Sequence, residues 1–388
     1  MSYRSNKFII FSTADWYEKY WTNKQHNAKF LARRGYEVTY IESMVLRKPS
    51  INKKDITRIF KRLFNGIKSL IIGPVRIEKN IHLISPLVFP FFHNNFFIKI
   101  LNKSISLLFF KRVGKNAVNV IAYHPFIDEY LHLIKINKLI YHCVDDLSAI
   151  PNIRKDFKIA EKDFIDQCDF IFVTNYLIFQ EFTKKFPSKK NIFYFPNVVD
   201  RDHFKLLPSK LMTNLKDIKS PKVIFHGVLS DFKIDFKLLY NVIEKMPDLT
   251  FIILGEEREG QNNYLFSKIK NLQNVYHLGY KEYSEIPKYL NACDVGIIPS
   301  LINQYTRHMF PMKYFEFISC GLPVVTTNLP FIKKSNKLTF IANDQNNFIA
   351  NIYKALQLKI SKDDINQITK DYTWDKRLDF FIDKIEKK

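Results

Sequence analysis

Residues 299–327, PSLINQYTRHMFPMKYFEFISCGLPVVTT, decide how the chain is read. An apolar run, residues 295–298, ends at Pro299 and Ser300; a polar loop comes next, Pro311 opens a helix, Gly321 stops it, and LPVVTT starts another buried strand. Proline suits a first helical position because the N–H it lacks would be unpaired there anyway, and glycine suits the left-handed residue just past a helix end. In a parallel sheet the loop after a strand lies at the ligand-binding edge, and the next helix aims free N–H groups and its positive dipole end into that crevice. An anion is expected at this helix start.

Lys313 and Glu316 lie three apart and share a helix face. An ammonium beside free N–H groups suits a diphosphate, and a carboxylate one turn deeper can accept from the hydroxyls of a ribose. The same residues also read as a solvated i,i+3 pair contributing about 0.2 to 0.5 kcal/mol. Their spacing alone leaves both readings open.

PMKYFEFISCGLPVV fits the pattern P-x-K-x-x-E-[FY]-x-x-x-G-x-P-V-V. It resembles the donor-binding helix of GT-B glycosyltransferases, especially those similar to glycosyltransferase family 4 and its teichuronic-acid-type relatives. The resemblance implies an α/β fold, GT-B, with two Rossmann-like doubly wound domains facing across a cleft and a C-terminal helix crossing back to the first domain. The expected boundaries are residues 1–205, 206–370 and 371–388. The implied activity moves a sugar, with retention, from a nucleoside-diphosphate donor (UDP or GDP) to a saccharide or lipid-linked acceptor in cell-surface polysaccharide synthesis. No cofactor besides that donor substrate is expected, and no metal: there is no D-x-D motif, and the adjacent Asp145 and Asp146 match one poorly.

Shorter matches extend the resemblance. PNVVDRDHF, from Pro196, is similar to P-N-G-V-D-x-x-x-F with Val198 in place of the glycine; Asn197 is read as turning the chain and Asp200 as capping the residues after it. The residues 205–221 that come next are polar and are read as a hinge. KVIFHGVLSDFKI places Gly227 and Lys233 on the family's G-R-L-x-x-x-K-G, with Val228 for the arginine and Ile234 for the second glycine. Half of the usual cationic phosphate clamp is therefore absent, leaving Lys233 and Lys313 as the pair. Family enzymes often carry a second glutamate eight places before the one matched by Glu316; here that place holds His308. Gly279 and Tyr280 fall where relatives hold the base, N–H groups near Phe310 would meet the diphosphate, and His124 is the nearest match to a histidine that approaches the donor sugar.

The rest of the chain is consistent with two domains. Its 388 residues exceed what one core usually holds, and 46% hydrophobic with 25% charged residues fits a globular protein. Residues 7–11 and 37–41 read as strands flanking a helix that ends at Gly35, a βαβ opening without G-x-G-x-x-G and so without a case for NAD. Asp15, Trp16, Trp21, Asn23, Lys24, Gln25 and His26 crowd the mouth of its first turn. They read either as an acceptor site, with Trp16, Asn23, Lys24 and His26 in that role, or as packing anchors. VNVIAYHP, LIYHCVDD and FIFVTN continue the strand and helix alternation of a doubly wound sheet.

Sixty Lys and Arg against 38 Asp and Glu give a formal charge of +22, which points to a polyanionic partner without choosing one. In residues 46–80, Ile56, Ile59, Phe60, Leu63, Phe64 and Ile67 recur at helical spacing among Lys53, Lys54, Arg58, Lys61, Arg62 and Lys68. Such a helix can lie on an anionic membrane surface, helped by the aromatic residues of 89–97, or pack its stripe on a core. No run approaches 18 apolar residues, the N-terminus turns polar too early for a signal peptide, and the four cysteines form no C-x-x-C pair. A cytoplasmic location, peripheral on the inner face of the membrane, is expected. No nucleic-acid-binding module is visible; the competing readings are a GT-B nucleotide-sugar epimerase and a non-catalytic polyanion-binding protein.

Overall fold

Strands that carry apolar residues on both faces need helices on both sides of their sheet, and the chain supplies them in alternation. The computed structural model describes residues 6–43, 53–87, 117–150, 153–207, 214–257, 261–331 and 336–387, with part of a helical stretch in 100–110. Two units result, Met1–Phe195 with Phe380–Lys388, and Pro196–Asp379.

In the first unit the strands are β1 (Lys7–Phe11), β2 (Glu37–Ile41), β3 (Val75–Glu78), β4 (Ile81–Ile84), β5 (Val118–Ala122), β6 (Ile136–Cys143), β7 (Phe170–Val173) and β8 (Ile192–Tyr194). Their order is β3-β4-β2-β1-β5-β6-β7-β8, parallel except for the β3–β4 pair. Chain order reverses between β1 and β5, so the loops that leave these two strands flank the switch point. Helix Asn23–Arg33 connects β1 to β2, and Gly35 after it has φ +90°.

The second unit holds β9 (Lys222–His226), β10 (Thr250–Leu254), β11 (Val275–Gly279), β12 (Val295–Ile298), β13 (Val324–Thr327) and β14 (Thr339–Ala342). They pair in parallel in the order β11-β10-β9-β12-β13-β14. This is the doubly wound dinucleotide-binding order, and its switch point lies between β9 and β12. One core packs each face of the sheet: Phe310, Phe315, Phe317 and Ile318 with Leu254 and Ile298, and Val223, Phe225, Leu239 and Phe251 with Ile352. Gly296 in β12 is a packing requirement, since a Cβ there would sit 2.5 Å from the Phe317 ring. The missing side chain lets helix Lys313–Ser319 lie close on the sheet.

The division differs from the expected 1–205, 206–370 and 371–388, and the reason is local. Val199 N donates to Tyr372 O at 3.0 Å, Leu207 N to Asn291 Oδ1 at 2.8 Å, and His203 stacks on Tyr283 with centroids 4.3 Å apart. Residues 196–207 therefore belong to the second unit. Helix Trp374–Glu386 starts in the second unit and ends in the first, where Phe381 meets Phe172 at 4.8 Å. Of the expected hinge, residues 208–213 lie outside the described residues.

Helix Lys53–Ile72 stands in the basic segment. Leu63 and Leu70 pack on the core and Ser69 Oγ accepts from Ser85 N, while Phe64, Ile67, Ile71 and Ile72 are exposed at 69%, 44%, 71% and 61%. Apolar side chains thus occupy two faces of this helix. The side chains of 53–61 and the aromatic stretch 89–97 lie outside the described residues. Among the described residues no helix is long and apolar enough to cross a membrane.

Candidate donor site of the second unit

The loop that leaves β9 begins His226–Gly227, and the loop that leaves β10 begins Gly255. Gly227 and Gly255 have φ of +118° and +133°, and a Cβ on Gly255 would fall 2.0 Å from Gly227 O. Two backbones approach here as only glycines allow. Lys313 Nζ lies next to them, 2.8 Å from where a Cβ of Gly227 would be, and 4.1 Å from the centroid of the Phe225 ring.

Helix Lys313–Ser319 comes after a turn at Pro311 and Met312, with Tyr314 N donating to Pro311 O at 3.2 Å. The predicted start at Pro311 is thus two residues early, and the helix has only seven residues. Met312 caps it with no side-chain hydrogen bond. Gly321 has φ +84°, as its place past the helix end predicts. Tyr314 through Ser319 are all buried, and Glu316, 8% exposed, is the one carboxylate among them. A buried carboxylate without partners is costly.

Glu316 Oε2 stands 3.3 Å from His226 Nε2, yet that ring nitrogen makes no hydrogen bond, and His226 is itself buried. Burial pushes the Glu316 carboxyl up to about 7 against the opposing pull of Lys313. Burial brings the Lys313 ammonium down to about 7, with Glu316 raising it and Lys233 lowering it further. His226 is held neutral, well below the usual imidazole range, by burial and by the Lys313 charge. Two ammonium groups and one carboxylate thus act on one another beside the glycine backbones. An anion between the ammonium groups would relieve their repulsion.

Lys233, the second predicted ammonium, has its Nζ over the Tyr305 ring at 4.8 Å, and its backbone ties the loop down by Leu301 N donating to Lys233 O at 2.9 Å. Ser230, on the same loop, is 1% exposed and its hydroxyl has no partner. Tyr280 is half-buried and donates to Glu282 Oε2 at 3.3 Å. His308 caps the short helix Gln304–Arg307 and its Nδ1 meets Gln304 O at 2.9 Å. Phe310 is a core residue by its ring, 5% exposed and packed on Phe315 and Phe331. Sequence reasoning does not reach His226, Gly255 or Ser230. The pair HG at a strand end is the available signal for the first; LGEE is the signal for the second.

At the first unit's switch point the carboxylates are matched by donors. Trp16, read as an acceptor-site residue or a packing anchor, is 4% exposed and packs on Tyr40 and Trp21 at 5.1 and 5.5 Å, while Glu42 Oε1 accepts from its backbone N at 2.9 Å. It is a packing anchor. Arg62 Nη2 donates to both Asp15 oxygens at 3.1 and 2.9 Å, and Gln25 Nε2 to Asp15 O at 3.0 Å. Asn23, Lys24 and His26 are buried at the start of helix Asn23–Arg33, with Lys24 Nζ 5.5 Å from the centroid of the Tyr123 ring. His124, after β5, is 1% exposed with neither ring nitrogen hydrogen-bonded; burial, then the Arg154 charge, bring it down to about 3. It is a neutral imidazole.

Residues 220–358 match the family model for glycosyl transferases group 1. TuaH of Bacillus subtilis (strain 168), named as a teichuronic acid biosynthesis glycosyltransferase, is 29% identical over 213 residues, 52% of this chain and 53% of that protein. The chain therefore spans about half the length of this relative. Among solved structures, sucrose-phosphate synthase from Thermosynechococcus elongatus superposes with a TM-score of 0.70 at 13% identity, covering 97% of each chain. HepE of Anabaena, in complex with UDP and glucose, gives 0.67 at 11% identity and covers 98% of this chain and 99% of that one. The α/β topology of both units and these likenesses give this chain a GT-B glycosyltransferase fold, and residues 220–358 of its second unit are similar to the glycosyl transferases group 1.

Proposed function

We propose that the protein transfers a sugar from a nucleoside diphosphate, UDP before GDP, to a saccharide or lipid-linked acceptor of cell-surface polysaccharide synthesis. The observation that carries this reading is the cluster of Lys313, Lys233, His226 and Glu316 around the glycine backbones at the second unit's switch point. The likeness to TuaH and the UDP held by HepE support it. In this reading the diphosphate lies beside Gly227 and Gly255 against the Lys313 ammonium, with Lys233 on its other side. Glu316 accepts from the ribose hydroxyls and Tyr280 flanks the base.

Charge grows on the leaving diphosphate as the glycosidic bond breaks, and fixed cations already in place there lower the barrier. Lys313 and Lys233 are those cations in the proposed reaction, which proceeds with retention and without a metal. His124 of the first unit, neutral and unpartnered, is assigned to a hydroxyl of the transferred sugar. His308 is assigned a place near the phosphate, and Asn23, Lys24 and His26 the acceptor side. Titrating UDP into the protein by calorimetry tests the donor site: binding that Lys313→Ala weakens roughly 30-fold or more supports it, and binding that Lys313→Ala leaves intact contradicts it.

The same proposal places the protein at the cytoplasmic face of a membrane. Phe64, Ile67, Ile71 and Ile72 are exposed beside Lys68 on helix Lys53–Ile72, a composition suited to an anionic bilayer surface. Flotation with phosphatidylglycerol vesicles is expected, and Phe64→Asp with Ile71→Asp is expected to abolish it. Flotation unchanged by that double substitution would exclude this face.

A further inference from the structure

The segment that enters the second unit and the one that leaves it meet behind the diphosphate loop. Asn197, two residues after the unit boundary and 2% exposed, donates from Nδ2 to Phe310 O at 2.6 Å. Arg377, three residues before the chain returns to the first unit, donates from Nη1 to Asn197 Oδ1 at 3.5 Å. Val199 N donates to Tyr372 O at 3.0 Å, and Val199 and Thr373 form a parallel bridge, so the two segments are also joined through their backbones. The Tyr372 ring stacks on Phe315 at 4.4 Å, two residues into the helix that Lys313 begins.

Phe310 O belongs to the turn that precedes Lys313. A carbonyl there can point outward to water or inward to a donor, and the side-chain amide of Asn197 fixes the inward choice. That choice sets where the Lys313 ammonium starts. PNVVD reads as a turn in the sequence because asparagine often turns a chain; its amide instead reaches a residue 113 positions away.

We propose that Asn197 is a positioning residue for the donor site, backed by Arg377: it holds the Phe310 carbonyl so that Lys313 and the amides after it are preset for a diphosphate. The inference rests on the donor-site reading above. It also makes both chain crossings between the two units part of the support of that loop, so the loop's order depends on them.

The test compares three proteins. Asn197→Asp keeps the shape and the acceptor facing Arg377 but puts an oxygen against the Phe310 carbonyl. Asn274→Ala is the control for general loosening: Asn274 Nδ2 donates to Ile243 O, Met246 O and Leu249 O, in the same unit and away from Lys313. Calorimetry with UDP is expected to give roughly tenfold weaker binding for Asn197→Asp and unchanged binding for Asn274→Ala, even though the control lowers Tm at least as far. In the ligand-free proteins, hydrogen exchange at the Phe310, Met312, Lys313 and Tyr314 amides is expected to quicken in Asn197→Asp only.

Wild-type affinity in Asn197→Asp, or an equal loss in Asn274→Ala, overturns the proposal. Should Asn197→Asp fail to fold, Arg377→Lys carries the test, with about threefold weaker UDP binding expected and unchanged binding overturning it. A wild-type protein that does not bind UDP overturns the donor-site reading itself, and with it the purpose assigned to Asn197.

Discussion

The two switch points share a topology and differ in what they leave unpaired. In each unit chain order reverses beside the first strand, β1 or β9, so each has a crevice at the same place in the sheet. At β1 the loop is filled by Trp16 and Trp21, the Asp15 carboxylate is matched by Arg62, and Glu42 is used up by Trp16 N and Ser85 Oγ. At β9 the loop opens with glycine, Glu316 and His226 are buried 3.3 Å apart with His226 Nε2 making no hydrogen bond, and the Lys313 ammonium lies beside the glycine backbone. The same fold thus carries one mouth whose carboxylates are matched by donors and one whose buried carboxylate faces an imidazole nitrogen that makes no hydrogen bond. Unsatisfied buried charge costs stability unless a ligand completes it, so the second mouth is where an anion gains most.

The largest expected effect comes from closing the glycine gap. Gly255→Ala puts a methyl group 2.0 Å from Gly227 O at φ +133°, which should cost about 3 kcal/mol or more in denaturant unfolding and remove UDP binding. Retained stability in that variant would mean that the two loops are free to separate. Next is Lys313→Ala, which should weaken UDP by about 2 to 3 kcal/mol, roughly 30- to 150-fold, without loss of fold as judged by far-UV circular dichroism.

The pH dependence of UDP binding sharpens the contrast. Lys313 has been lowered to about 7, so in the free protein its ammonium is lost as pH rises above that value. Diphosphate favours the charged form, so binding above pH 7 should take up a proton, and affinity should fall by up to about tenfold per pH unit. Calorimetry at pH 8 in two buffers of different ionisation heat would measure that uptake, and Lys313→Arg should abolish it. The smallest effect belongs to the other mouth. Asp15→Asn breaks a partly exposed pair and should cost about 0.5 to 1 kcal/mol of stability while leaving UDP affinity unchanged; a change in UDP affinity would show that the first mouth takes part in holding UDP.

Legibility in the sequence tracks the range of the interactions concerned. The strand–loop–helix–strand unit of residues 295–327 is legible because proline, glycine and apolar runs act locally, and Lys313 and Glu316 are neighbours on one helix. Lys233 is reached through the resemblance of its segment to the family's G-R-L-x-x-x-K-G. His226 is not, since its meaning comes from Glu316, ninety positions on, and Gly255 is not, since its partner Gly227 lies on another loop. Trp16 stays open between a sugar platform and a packing anchor until its contacts with Tyr40 and Trp21 decide for packing. The division at 195/196 depends on bonds such as Val199 to Tyr372, which no local pattern announces.

The most direct measurement is hydrogen exchange of the whole protein with and without saturating UDP. Protection is expected at residues 226–230, 255–257 and 310–316, with none at residues 12–26. Protection at the loop after β1 with none at the loops after β9 and β10 would contradict the account.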